Sequence, residues 1–156
     1  MLHVICYNEN MNIFVGADHR GFQLKNDIIE YLQSKNIRVE DMGNYEHNPE
    51  DDYPDFAQKV AKAVLQNPQS NLGLVICGSG IGVAISVNRF KGILCALGFR
   101  DDQVKHGREN DHINVLALPS DYLTLEQATQ FVDTFLTTAP IMKEKYLRRA
   151  KKNDNC

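Results

Sequence analysis

The chain has 156 residues and a net charge of −3, with 43% hydrophobic and 24% charged residues. That length suits one domain with a single core, and the acidic balance argues against a nucleic-acid binder, whose surface is usually basic. No apolar run approaches the roughly 18 residues that cross a bilayer. The N-terminus MLHVICYNEN lacks the basic start and apolar core of a signal peptide, so a cytoplasmic location is expected. Cys6, Cys77, Cys95 and Cys156 have no CxxC spacing and are too few for a disulfide scaffold in a chain this long; reduced thiols are expected.

In chain order, a regular pattern begins after Met11. NIFVGAD (Asn12–Asp18) predicts a short buried strand. Phe22, Leu24, Ile28, Ile29 and Leu32 then fall near helical spacing. IRVEDMG alternates like a strand, and NYEHNPEDDYP is a polar loop with two prolines. Phe56, Val60, Ala63 and Val64 predict a helix that Asn67-Pro68 stops. LGLVIC (Leu72–Cys77) reads as a buried strand and IGVAISVNRF as the start of a helix. GILCALGF predicts a strand, DDQVKHGREND a short helix with Asp101 or Asp102 near its N-cap, and NVLALP a further strand. TLEQATQFVDTFLTTAP is a long amphipathic helix opened by Thr124, and the basic tail begins helical and then frays. The boundaries that follow are an N-terminal extension or alternative start over 1–11, one domain over 12–150 and a frayed tail over 151–156. Strands alternating with helices predict a doubly wound α/β sandwich with a mostly parallel sheet.

In such sheets ligands gather where strands end and helices begin. Two of those ends carry polar chemistry, ADHRG after the first strand and CGSGIG after LGLVI. The GSGIG run is a poor dinucleotide fingerprint, since it reads GxGxG and lies mid-chain, and the Gly-Lys-Ser/Thr of a phosphate-binding P-loop is absent. A thiol at a strand end before a helix N-terminus favours thiolate in general, and glycines let several N–H groups face one oxygen. Cys77 therefore reads either as the base of a proton abstraction beside a carbonyl or as a small buried hydrophobe. Asp18 could accept from sugar hydroxyls and His19 could move a proton or meet a phosphate; a helix cap with a surface histidine explains the same pair.

GADHRGFQLK, DYPDFAQKVAKAV and ICGSGIGVAISVNRFKGI, in that order and spacing, resemble the ribose 5-phosphate isomerase B family, which includes the galactose 6-phosphate isomerase subunits. The resemblance runs from about Asn12 to Arg148. It implies a Rossmann-like fold and a homodimer or homotetramer with active sites between subunits. It also implies interconversion of an aldose phosphate and a ketose phosphate without metal or cofactor, ribose 5-phosphate and ribulose 5-phosphate by default. By position, Cys77 would shuttle a proton between C1 and C2 through a cis-enediolate. The glutamate that some relatives use instead falls at Val83. Ser79 and the N–H groups of Gly78, Gly80, Ile81 and Gly82 would hold the enediolate oxygens, with Asp18 and His19 on the sugar and Tyr53 lining the site.

The second half departs from the family pattern. RENDHINVL places Asn110 where the ring-opening histidine is expected, with His112 two residues later and His106 on the preceding helix. Asp121 and Glu144 stand at positions where the family has phosphate-gripping arginines, and only Arg148 matches. Lys143, Lys145, Arg149 or Arg20 would have to compensate, or the basic tail is a solvated face. Three readings follow: a ribose 5-phosphate isomerase with rearranged contacts, an isomerase for another sugar or sugar phosphate, or a catalytically silent homologue. A cation near Arg148 and His19 would favour the first.

Overall fold

The computed structural model describes residues 11–154. Five strands form one sheet: β1 (Asn12–Ala17), β2 (Val39–Asp41), β3 (Asn71–Cys77), β4 (Cys95–Leu97) and β5 (Val115–Pro119). Their spatial order is β2-β1-β3-β5-β4, and every pairing is parallel. The helices are α1 (Phe22–Ser34), α2 (Tyr53–Gln66), α3 (Ile81–Val87), α4 (Asp101–His106), α5 (Leu125–Thr137) and α6 (Glu144–Asn153). A π-helical turn, Gly107–Asp111, continues α4.

Strand alternation sorts the core into two layers. Ile13, Val15, Leu74, Ile76 and Leu116 point toward α1 and α5, where Ile28, Leu32 and Phe135 meet them. Phe14, Val75, Cys77, Val115 and Ala117 point the other way, toward α2 and α3. Parallel strands covered on both faces are apolar throughout rather than alternating, and β3 is buried at all seven positions. The three-layer sandwich expected from the sequence is the architecture found.

The edge strands β2 and β4 are shorter than the alternation in IRVEDMG and GILCALGF suggests, because each has one neighbour and loses its ladder early. Tyr53, expected in a loop, instead opens α2, with Pro54 in the first turn, where its missing N–H costs nothing. Lys151–Asn153, expected in a frayed tail, continue α6, and Asp154 Oδ1 accepts the Gly92 N–H at 2.8 Å. Met11, assigned to the extension, is buried in the α1/α5 layer; the rest of that extension and residues 155–156 lie outside the described residues. Among the described residues no helix is long and apolar enough to cross a membrane.

The chain winds from β1 to β2 on one side, then returns past β1 to β3 on the other. The sheet's switch point is therefore between the C-terminal ends of β1 and β3, where a crevice opens in folds of this kind. Asp18 and Cys77 stand at those two ends.

Candidate active site

β3 ends at Cys77, whose side chain turns toward the α2/α3 layer and is only 4% exposed. The next residues must leave the strand and enter α3 within three positions. Gly80 makes this possible with φ +71°, and a Cβ there would lie 2.5 Å from Leu97 Cδ1. The turn brings the Gly80 N–H onto Cys77 Sγ at 3.1 Å, the kind of donor a thiolate accepts. The Ile81 N–H goes to Ser79 Oγ at 3.3 Å. Of the amides expected in the cradle, those of Gly80 and Ile81 are thus directed within the loop. The N–H groups of Gly78, Ser79 and Gly82 have no protein acceptor among the described residues, so they are the donors left for a ligand oxygen.

β1 delivers Asp18 to the adjacent end, where its N–H donates to Ile76 O at 3.3 Å. Oδ1 accepts the N–H groups of Arg20 and Gly21, both at 3.0 Å, which closes the turn into α1. That leaves Oδ2 for another donor. Burial pushes the Asp18 carboxyl up from its ordinary value, against those two hydrogen bonds and the neighbouring His19. A carboxylate held partly dehydrated gains more from a sugar hydroxyl than a solvated one does.

His19 Nδ1 lies 2.7 Å from Asp51 Oδ1, which also takes the His19 N–H at 3.0 Å. Asn44 Nδ2 donates to Asp51 Oδ2 at 2.6 Å. Tyr53, at the end of the same loop, lays its ring against Gly82, where a Cβ would sit 2.8 Å from Cζ. Arg20 forms an ion pair with Asp121 after β5, and a Cβ on Gly78 would meet both side chains.

Asn110, His112 and Arg148 are elsewhere. Asn110 and His112 precede β5, so they lie at the N-terminal end of the strands, opposite Cys77. The π-helical turn packs on α6, which carries Arg148. Asn110 Nδ2 meets His106 Nδ1 at 3.1 Å, His112 Nε2 meets Ile141 O at 3.1 Å, and Arg148 pairs with Glu144 at 2.7 Å. One chain thus unites Asp18, His19, Tyr53, Cys77, Ser79 and the glycines of the loop, and holds the other three at the far pole.

The fold and the polar residues at its switch point define an α/β protein with a thiol, a buried carboxyl and open backbone donors around one crevice. The family model for ribose/galactose isomerases matches residues 13–153. A probable ribose-5-phosphate isomerase B of Mycoplasma genitalium is 41% identical over 81% of this chain and 84% of its own length. The ribose-5-phosphate isomerase B of Mycolicibacterium paratuberculosis is 32% identical over 89% of this chain and 87% of its own. The crystal structure of the Mycoplasma genitalium enzyme with bound ribulose-5-phosphate superposes with a TM-score of 0.89 at 38% identity, covering 95% of this chain and 97% of that one. The chain belongs to the ribose/galactose isomerase family.

Asp51 and Asn44 went unmarked in the sequence, where they sit in a loop rich in polar residues. The one available signal was a second acid beside DYP. Nothing in the sequence shows that it reaches back to His19.

Proposed function

We propose that the chain is an aldose–ketose isomerase that interconverts ribose 5-phosphate and ribulose 5-phosphate, with Cys77 as the base. The observation that carries this reading is Cys77 Sγ at the switch point, with the Gly80 N–H on it and unspent amides beside it. The thiolate removes the C2 proton of the open-chain aldose. The electron pair moves into a cis-enediolate, whose oxygens accept from Gly78, Ser79 and Gly82; the O2 proton passes to O1, and the Cys77 thiol, free to exchange its proton with solvent at this stage, protonates C1. Asp18 Oδ2 holds a sugar hydroxyl. Arg20, whose side chain lies against Gly78, supplies charge for the phosphate, which answers the missing arginine at Asp121.

The working unit in this reading is at least a dimer. A five-residue parallel strand spans about 16 Å, so Asn110, His112 and Arg148 reach a Cys77 crevice only from a second copy. The exposed Ile81 and Ile85, one turn apart on α3, give an apolar face beside the crevice suited to such a contact.

The test is turnover of ribose 5-phosphate by the purified chain, with Cys77→Ala beside it. Loss of at least about a hundredfold in a folded variant is expected. An equally active variant would remove Cys77 from the reaction. A wild-type chain inactive on ribose 5-phosphate but active on another sugar phosphate would keep the chemistry and change the substrate.

A further inference from the structure

We propose that Asp51 is a positioning residue that makes His19 the group that opens and closes the sugar ring. The inference rests on the isomerase reading above and assigns a step that reading leaves without an owner. Asp51 is held by three donors, His19 N, His19 Nδ1 and Asn44 Nδ2, at 3.0, 2.7 and 2.6 Å. Its side chain is 7% exposed. A carboxylate only accepts hydrogen bonds, so the proton of His19 sits on Nδ1 and the lone pair on Nε2. His19 Nε2 has no hydrogen-bond partner among the described residues, and the ring is 28% exposed. His47 and Phe22 flank this corner: the His47 ring meets the His19 ring edge-on at 6.3 Å and the Phe22 ring at 6.0 Å. The two imidazoles near the far pole suit the task less well, since His112 Nε2 is taken by Ile141 O and His106 by Asn110.

The chemistry is a proton relay. A ribofuranose 5-phosphate opens when the C1–O4 bond breaks, C1=O1 forms, and the O1 proton ends on O4. His19 Nε2 takes the proton from O1 and delivers it to O4. The imidazolium that exists between those transfers is paired with Asp51, and Asn44 keeps Asp51 aimed. Ribulose 5-phosphate has O5 esterified and forms no such ring, so its proton exchange at C1 bypasses the relay.

That difference supplies the test. In the full-length protein, turnover of ribose 5-phosphate is compared with solvent deuterium incorporation into ribulose 5-phosphate. Asp51→Asn keeps an acceptor for both His19 donors. Its new amide can meet Asn44 Oδ1, which is buried without a partner, once the Asn44 amide turns over. The ratio of turnover to exchange is expected to fall by about tenfold or more in Asp51→Asn and likewise in His19→Gln. Asp51→Asn added to His19→Gln is expected to lower it no further, because Asp51 acts through His19.

An unchanged ratio in either variant overturns the proposal, and so does a parallel fall of both rates, which marks a purely structural role. A wild-type chain that catalyses neither process fails the isomerase reading itself, and the ring-opening role with it.

Discussion

Arg20 and Asp121 join the ends of β1 and β5 through an ion pair that lies against Gly78, the first residue of the loop after Cys77. Asp121, read from the sequence, is an acid where a phosphate would need a cation. In the structure its charge is already met, and by a guanidinium one residue from His19. The Glu144 carboxylate is met in the same way by Arg148, one helical turn along α6. Neither acid stands as a bare repulsive charge.

Arg20→Ala should therefore raise KM for ribose 5-phosphate by about tenfold, the worth of one charge-assisted hydrogen bond to a partly exposed anion. It should change kcat less, because the guanidinium holds the non-reacting end of the substrate. Steady-state kinetics decide this. An unchanged KM would send the search for the phosphate cation to the far pole of a second copy.

Mixing should restore what single variants lose. Cys77→Ala removes the base from one pole and Arg148→Ala a cation from the other. If sites form between copies, an equal mixture of two inactive variants regains about a quarter of wild-type activity, since half the dimers are mixed and each has one intact site. No recovery after exchange of subunits would place Arg148 outside the site or confine the site to one chain.

Asp18→Asn should stabilise the fold at neutral pH while lowering activity. Burial raises the folded-state pKa of Asp18 above its unfolded value, so ionisation at neutral pH weighs against the native state. The amide keeps an Oδ1 for the Arg20 and Gly21 N–H groups and has no charge to dehydrate. The gain should disappear as the pH falls below the ordinary aspartate value of 3.8, where the carboxyl is protonated in both states. Urea midpoints measured across that range check the sign. A variant less stable at neutral pH would refute the account.

Lys25 is wholly buried on α1, with Nζ 2.5 Å from Asp41 Oδ2 at the end of β2. Asp41 also caps the Gly43 N–H through Oδ1 at 2.8 Å. Asp41→Asn should cost about 3–5 kcal/mol, because it strands an ammonium in the core. Lys25→Met should cost less, since Asp41 is 32% exposed and water can take over. Denaturation curves showing the opposite order would mean that the carboxylate, not the ammonium, is the group that suffers from isolation.

The path from sequence to site was uneven for physical reasons. Helical and strand periodicities in Ile28–Leu32, Val60–Val64 and Leu72–Cys77 are local patterns, and a doubly wound sheet is what alternating elements of that kind can build. Cys77 and the glycines after it are neighbours in sequence, so their turn was legible. The use of Gly80 and Ile81 N–H groups inside that turn was not, because it depends on the φ of Gly80 and the placement of two side chains. Asn110, His112 and Arg148 resembled parts of the same site, yet the parallel sheet sends them to its other end.

What the sequence determined by itself is the layering, the family and the thiol at the end of β3, all of which are carried by residues close together in the chain. Only the tertiary structure decided that Arg20 meets Asp121, 101 residues away, and that Asp51 turns back to His19 across 32 residues. Those pairings follow from which strand ends the sheet order places side by side. Hydrophobic periodicity sets which face of an element is buried, but it carries no record of which charged groups the loops between elements will bring within reach.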